Sequence, residues 1–155
     1  MSDNAAFDLK SFFPYQARLY YRAISQTIRK VYHEAYGFSP DEWRTLANLY
    51  NSEPMTSKEI VTQASISKVN VSRAIASLEK RNLIERHVDP TDRRRVLLRL
   101  NAKGKKIMRD LMPKVIEAEK SILSALNADE YKTLIQLMDK VVMATHYDPS
   151  EDSDS

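Results

Sequence analysis

Seven consecutive positions hold the densest set of chemically active side chains in the chain, Asp89-Pro90-Thr91-Asp92-Arg93-Arg94-Arg95. Three adjacent arginines repel one another, which is tolerable where they face solvent and favourable where they face phosphate. Asp92 can orient one of them through a charge-assisted hydrogen bond. A narrow DNA minor groove attracts an inserted arginine because its negative potential is enhanced there. The string therefore indicates DNA contact, and a merely solvated turn is the alternative.

A second polar cluster precedes this turn and consists of Ser67, Lys68, Asn70, Ser72 and Arg73. Asparagine pairs bidentately with adenine, arginine or lysine pairs with guanine, and serine donates to a base or a phosphate. Thr56 and Ser57 add hydroxyl groups at the start of an earlier segment, where the first amides of a helix suit phosphate oxygens. These residues, together with Asp92, Arg93, Arg94 and Arg95, are the candidate DNA contacts.

The net charge of +3 conceals a strong asymmetry along the chain. Twelve basic and four acidic residues lie between Lys68 and Lys106, whereas the last eight positions contain four acidic residues. Such clustering is the electrostatic footprint of a protein that binds a phosphate backbone. Considered alone, the composition is equally compatible with a solvated charged face.

The composition also argues against several classes of protein. Two glycines leave little scope for phosphate-cradling loops, and the absence of cysteine excludes disulfides, thiolate metal sites and cysteine-based oxidation sensing. His33, His87 and His146 fall on separate predicted elements without metal-ligand spacing, so we expect no metal and no cofactor. No nucleophile has a base and an orienting partner, so we do not expect an enzyme. Without a leader pattern or an apolar run of roughly 18 to 20 residues, we expect a cytoplasmic protein.

Four helices are predicted before residue 82, at about 11–36, 40–51, 57–64 and 67–81. Two of them begin with capping boxes, in which Ser39 or Thr56 is followed three residues later by a glutamate that satisfies a backbone donor. Gly37 is suited to end the first helix, because glycine readily adopts the left-handed conformation. In the fourth helix, Val71 and its neighbours at helical spacing face inward, which leaves the polar cluster on other faces.

The hydrophobic period then changes from that of a helix to that of a strand. Residues 84–88 alternate in polarity and residues 96–100 are rich in β-formers, so the two segments form a hairpin around the arginine turn. Asn101 and Asn127 cap two further helices, at about 102–125 and 128–146. Two short helices followed by a basic hairpin give the order helix-turn-helix-wing, in which the second helix enters the major groove.

The sequence thus predicts a mainly α fold with a small β-hairpin wing, comprising a winged helix-turn-helix lobe and a helical dimerisation region. The DNA-binding lobe spans residues 37–101, and the dimerisation region comprises residues 1–36 and 102–147. Residues 148–155 form an acidic tail that we expect to be disordered. The long helices outside the lobe carry wide apolar stripes that a small lobe cannot cover, which indicates a homodimer.

Several strings resemble the MarR family of bacterial and archaeal regulators: Ser39-Pro40-Asp41-Glu42-Trp43, Val71-Ser72-Arg73, the run from Leu78 to Arg86, and the run from Asp89 to Arg95. The resemblance covers nearly the whole folded chain. It implies an intertwined homodimer that presents two winged lobes to successive major grooves of a pseudo-palindromic operator in double-stranded DNA. Asp92 and Arg94 match the Asp and Arg of the family's wing, and Arg94 is the candidate for minor-groove insertion. Arg93 and Arg95 are then expected to serve phosphates.

The resemblance also implies a small effector, often an aromatic acid, bound between the dimerisation helices and the DNA-binding lobe, so that the protein is a repressor released by that effector. The candidate effector-binding residues are Tyr15, Arg18, Tyr21, Arg22, Trp43 and Arg44. Aromatic rings beside guanidinium groups hold an aromatic carboxylate by stacking and ion pairing. A larger ligand such as an aromatic acyl-CoA thioester would also use Arg29 and Lys30. Two alternatives stay open: the same side chains serve packing or a solvated face, or the protein is a constitutive or architectural DNA-binding protein without a ligand.

Overall fold

The computed structural model describes residues 7–147, which form six helices and one two-stranded antiparallel sheet. The elements in chain order are α1 (Phe13–Tyr36), α2 (Pro40–Ser52), α3 (Ser57–Ala64), α4 (Lys68–Lys80), β1 (Ile84–Val88), β2 (Val96–Leu100), α5 (Ala102–Leu123) and α6 (Ala128–Ala144). The predicted fold class is confirmed, and the helix ends agree with the prediction to within two residues. The tail predicted to be disordered, 148–155, lies outside the described residues.

Side-chain caps explain where the helices begin. The Ser39 hydroxyl accepts a hydrogen bond from the Glu42 amide at 3.2 Å, and the Glu42 carboxylate accepts one from the Ser39 amide at 2.8 Å. Thr56 and Glu59 repeat this reciprocal arrangement at the start of α3, and α6 begins in the same way. Gly37 ends α1 with φ at +66°, a conformation that glycine adopts without steric cost. The local signals in the sequence therefore determine these boundaries.

The core of the winged lobe lies where α2, α3, α4 and the hairpin meet. Its buried apolar side chains include Leu46, Leu49, Ile60, Val71, Ile75, Leu78, Leu98 and Leu100. The two strands pair with Ile84 opposite Leu100, and Met55 exchanges two backbone hydrogen bonds with Leu98. Burial of this apolar surface fixes the base of the hairpin against the helices.

A partly buried polar cluster, here called the Glu42 cluster, joins α1, α2 and α4. The Glu42 carboxylate accepts a hydrogen bond from the Ser77 hydroxyl and lies 3.6 Å from a nitrogen of Arg81. Arg81 also donates to the Tyr36 carbonyl oxygen, and its guanidinium carbon lies 4.3 Å from the centre of the Phe38 ring. The end of α1 and the start of α2 are thereby tied to the last turn of α4.

Helix α5 leaves the lobe directly after β2. Its N-cap, Asn101, accepts a hydrogen bond from the Gly104 amide at 2.9 Å. A Cβ atom at Gly104 would lie 2.1 Å from the Leu83 carbonyl oxygen, so only glycine permits this close approach. Further along α5, Asp110 accepts a hydrogen bond from the Tyr36 hydroxyl at 2.6 Å, which joins α5 to α1.

Large apolar side chains stand exposed on the outer sides of the three long helices. None of the residues of α6 is buried. The exposed apolar residues on α1 and α6, here called the uncovered apolar face, are Phe13, Leu19, Tyr20, Tyr21, Ile24, Tyr131, Leu134, Ile135, Leu137, Met138, Val141, Val142 and Met143. The apolar stripe anticipated on α6 therefore lies on the surface of the single chain. The stripes anticipated on α1 and α5 are partly covered, because Tyr32, Met108 and Leu111 are buried in the core.

Candidate nucleic-acid interface

Helix α4 separates its buried residues cleanly from its polar ones. Val71, Ala74, Ile75 and Leu78 are buried, whereas the candidate contacts Lys68, Asn70, Ser72 and Arg73 are all exposed. The helix starts at Ser67, whose hydroxyl accepts a hydrogen bond from the Asn70 amide at 3.3 Å. The Ser67 hydroxyl therefore holds the first turn of α4 in place.

The exposed residues of α4 do not all point in one direction. At 3.6 residues per turn, Arg73 lies opposite the core side, Asn70 lies on the flank facing α2, and Ser72 lies on the flank facing the hairpin. Asn70 and Arg73 line a shallow cleft with Ser39 and Asp41 at the start of α2. Asn70, Ser72 and Arg73, which the sequence grouped as one set of candidate base contacts, thus lie on different sides of the helix.

A cleft of about 740 Å³, here called the wing cleft, separates α3 from the hairpin. Its lining includes the candidate residues Thr56, Ser57, Arg94 and Arg95, so the structure brings these four together. It also includes Lys58 and Arg86, which were not predicted from the sequence. Lys58 follows the candidate residue Ser57 directly in the first turn of α3. This position next to a candidate phosphate contact could have identified Lys58 from the sequence.

Short hydrogen bonds order the turn of the wing. One Asp89 carboxylate oxygen accepts from the Thr91 hydroxyl at 2.7 Å and from the Thr91 amide at 2.8 Å. Asp92 accepts from the backbone amide of Arg94 at 3.0 Å. Asp92 was expected to orient an arginine side chain, but it caps the backbone instead, because an Asp in a turn reaches the amide two residues later.

The arginine whose side chain is held is Arg95. Its guanidinium group lies 3.4 Å from a Glu59 oxygen and 3.6 Å from an Asp89 oxygen, so it braces the wing against α3. From its sequence context, Arg95 was expected to serve phosphates. Within residues 7–147 the guanidinium groups of Arg93 and Arg94 make no hydrogen bond or ion pair, and both side chains are exposed. In this part of the chain the wing therefore presents two free cations on a braced base.

Hydrogen bonding stabilises the charged forms of both carboxylates that hold Arg95. The pKa of Glu59 lies below its ordinary value, chiefly because Glu59 accepts the Thr56 amide hydrogen bond at the start of α3. The pKa of Asp89 is also lowered, first by the hydroxyl and then by the amide of Thr91. At neutral pH both groups are anionic and available to Arg95.

A second cleft of about 540 Å³ lies between α1 and α2 and is here called the α1–α2 groove. Five of the six candidate effector residues line it, namely Arg18, Tyr21, Arg22, Trp43 and Arg44. Tyr15 is not among the lining residues and lies one turn before Arg18 on α1.

The floor of the α1–α2 groove is aromatic. The Tyr32 and Trp43 rings stack with their centres 5.2 Å apart and an angle of 11° between their planes. Tyr32 was not predicted from the sequence, although its spacing of eleven residues from Tyr21 corresponds to three helical turns. Burial raises the pKa of the Tyr32 hydroxyl, so it stays protonated at neutral pH. Arg29 adds a further cation to the lining.

Two other kinds of feature are absent from the described part of the chain. Between residues 7 and 147, no three histidine, aspartate or glutamate side chains are placed so that they could hold a metal ion. No helix in that range is long and apolar enough to cross a membrane.

The comparison with protein families identifies the lobe. Residues 36–95, which run from the end of α1 to the wing, match the model of the MarR family. Over these residues the chain is similar to the MarR family. A curated MarR-type relative, the HTH-type transcriptional regulator MgrA of Staphylococcus aureus, is 29% identical over 125 residues, which cover 79% of this chain and 82% of the relative.

Solved structures of MarR-type regulators share the fold. The MepR–DNA complex of Staphylococcus aureus superposes with a TM-score of 0.77 at 23% identity, covering 86% of this chain and 98% of MepR. PcaV of Streptomyces coelicolor, solved with its natural ligand, gives 0.74 at 22% identity, covering 91% of this chain and 99% of PcaV. The matched family and the curated relatives are transcriptional regulators and not enzymes, and the solved structures show that this chain shares their fold.

The first prediction concerns the turn of the wing. Because folding lowers the pKa of Asp89, the ionised carboxylate stabilises the folded turn at neutral pH, and this stabilisation is lost as the pH falls below the ordinary value of 3.8 and through the lowered pKa. Thr91→Val removes the hydroxyl donor, so the pKa of Asp89 should rise toward 3.8. Carboxyl carbon NMR during a pH titration measures this change. Thr91→Ser keeps a hydroxyl and should titrate like the unaltered protein; an unchanged pKa in the valine variant would remove Thr91 as the cause.

Proposed function

We propose that the protein is a homodimeric repressor that acts in the cytoplasm, binding a pseudo-palindromic operator through α4 and the wing. An anionic aromatic effector in the α1–α2 groove releases it from the DNA. The observation that carries the proposal is the wing itself, where Arg93 and Arg94, unpaired within residues 7–147, project from a turn that Arg95 braces against α3. Free cations on an ordered hairpin are what a DNA phosphate or minor groove attracts.

The placement of the other candidate contacts supports DNA binding on the same side of the lobe. Ser57 and Lys58 begin α3, where backbone amides and a cation suit a phosphate oxygen. Lys68 and Arg73 are exposed on the first turn and a half of α4, the part of a recognition helix that meets base edges. Asn70 lies beside them, and we propose that it reads adenine at the edge of the contact. MepR, which shares this fold, has been solved bound to DNA.

The uncovered apolar face supports the dimer. Soluble proteins rarely expose this many large apolar side chains along two helices unless the side chains bind a partner. A second copy of the chain presents the same face, so a two-fold axis pairs like with like and buries both. The dimer also provides two recognition helices, as a pseudo-palindromic operator requires.

The α1–α2 groove supports an aromatic anion as the effector. The partly exposed Trp43 ring, which stacks on the buried Tyr32 ring, offers an aromatic surface, and Arg18, Arg22 and Arg29 add positive charge around it. A carboxylate meets guanidinium groups in bidentate geometry, while an aromatic ring stacks on the floor. An aromatic acyl-CoA thioester would extend along the same cations. PcaV, another protein of this fold, has been solved with its natural ligand.

The Glu42 cluster connects this groove with the DNA-reading helix. Trp43 lines the groove, and the preceding residue on α2, Glu42, contacts Ser77 and Arg81 in α4 and at its end. An effector that binds best when α2 is displaced would therefore favour a different position of α4. The shift in operator affinity is limited by the difference in effector affinity between the two positions. The alternative function is a constitutive or architectural DNA-binding protein that has no effector.

The first test of this proposal is Arg94→Ala. Operator DNA is obtained by selecting a duplex from a random library with the full-length protein, and affinity is measured by fluorescence anisotropy at several salt concentrations. The variant should bind about 1 to 3 kcal/mol more weakly and lower the salt slope by about one. Arg109→Ala removes an exposed arginine from α5 and should change neither value. Unchanged binding by Arg94→Ala would exclude the wing from DNA contact.

The dimer is tested by Leu137→Asp. Leu137 is exposed on α6, and a carboxylate there cannot be buried against a second copy without a large desolvation cost. Light scattering should give twice the chain mass of 17.9 kDa for the unaltered protein and a single-chain mass for the variant. Gln136→Asp places the same charge on the side of α6 away from Leu134, Met138 and Val141 and should stay dimeric. A dimer that survives Leu137→Asp would contradict the assignment of this face.

The effector is tested by thermal denaturation with benzoate, 4-hydroxybenzoate and benzoyl-CoA. A ligand of the folded state at a hundredfold excess over its Kd should stabilise the protein by about 2.7 kcal/mol, and the same ligand should weaken operator binding. Arg22→Ala should lose this stabilisation, whereas Arg109→Ala should keep it. If none of the three probes raises the melting temperature or releases DNA, the constitutive alternative is favoured.

A further inference from the structure

One apolar side chain lies among the polar residues of the two helices that form the helix-turn-helix. Val69, in the first turn of α4, is 58% exposed, and no other large apolar residue of α3 or α4 is exposed. It shares an outward line with Arg73 and Lys80, on the side of the helix opposite the buried Val71 and Leu78. Val69 therefore belongs to the surface that the proposed function places against DNA.

Val69 differs in its surroundings from the exposed apolar residues elsewhere in the chain. Most of those residues belong to the uncovered apolar face or to the segment that precedes α1. Val88 and Val96, which are exposed on the hairpin, stand opposite each other across the two strands. Within the described residues, Val69 belongs to no group of exposed apolar residues and has no apolar residue paired with it. It also lies in a helix, where a β-branched residue is less favourable than alanine, lysine or leucine.

The major groove of DNA contains an apolar group that Val69 could contact. The edges of the base pairs there display hydrogen-bond donors and acceptors, and the one apolar group among the four standard bases is the C5-methyl of thymine. An apolar side chain in contact with that methyl removes both surfaces from water, whereas contact with a cytosine edge leaves a donor without a partner. Val69 is thus suited to distinguish thymine from the other bases.

We propose that Val69 is a specificity-determining residue that packs against the methyl group of one thymine in each operator half-site. The inference rests on the proposed function, since α4 must enter the major groove for the contact to form. It assigns to Val69 a preference for thymine that none of the polar residues of α4 can supply, because serine, asparagine, lysine and arginine read hydrogen-bonding atoms.

The test removes the methyl group from the DNA rather than the side chain alone. In the duplex selected from a random library by the full-length protein, each thymine is replaced in turn by deoxyuridine, which lacks the C5-methyl and keeps the same hydrogen-bonding edge. The unaltered protein should lose about 3- to 10-fold in affinity at one thymine per half-site. Val69→Ala should bind the thymine duplex more weakly and should lose the deoxyuridine penalty at that position only.

Val88→Ala is the matched control, since Val88 is 59% exposed but lies on the hairpin. A wing in the minor groove meets no thymine methyl, so this variant should keep the whole pattern of deoxyuridine penalties. Val69→Ala replaces an exposed residue with a better helix former, so a melting temperature no lower than that of the unaltered protein verifies that the variant folds.

Three results would overturn the proposal. In the first, the unaltered protein binds every deoxyuridine duplex as tightly as the thymine duplex. In the second, Val69→Ala shows the same deoxyuridine penalties as the unaltered protein. If the selected duplex is still bound, either result contradicts the role of Val69 and leaves the proposed operator binding intact. If selection enriches no sequence at all, operator recognition fails, and the role of Val69 fails with it.

Discussion

Glu42 is a carboxylate with only 7% of its surface exposed, and three elements depend on how its charge is satisfied. One oxygen accepts the Ser77 hydroxyl, and the other accepts the Ser39 amide and lies near Arg81. A buried charge with all of these partners is tolerated, whereas the loss of one partner leaves a strongly unfavourable group in the interior. The relative positions of α2 and α4 are therefore narrowly defined. Because Arg81 also reaches the Tyr36 carbonyl, the end of α1 is held by the same cluster.

This arrangement places the two proposed activities on opposite sides of one short helix. The α1–α2 groove uses side chains of α2 such as Trp43, and the shallow cleft beside Asn70 uses residues at the start of the same helix. A rigid α2 transmits displacement, because packed interiors change between discrete arrangements and do not deform continuously. Under the proposed function, effector and DNA would compete through the position of α2 without sharing a single contact.

Much of the fold follows from local rules, and the sequence predicts it well. The caps at Ser39 and Thr56 need only a few neighbouring residues, so helix starts could be located without tertiary information. The partners of side chains in the site could not be predicted in this way, because they lie on segments distant in the sequence. Arg95 is held by Glu59, 36 residues earlier, and for this reason it braces the wing although its sequence context suggested a phosphate contact. Tyr32, which forms the floor of the groove with Trp43, was likewise hidden until the packing of α1 on α2 was known.

The braced turn of the wing has a consequence for the thermodynamics of binding. Asp89, Thr91 and Asp92 already hold the backbone around the arginines by internal hydrogen bonds. A disordered loop would lose backbone conformational entropy when it docks, and that loss would weaken the complex. In this wing most of the backbone conformational entropy is already lost when the protein folds. On binding DNA, only the long side chains of Arg93 and Arg94 then need to be immobilised. Such preorganisation prolongs the lifetime of a complex more than it accelerates the encounter.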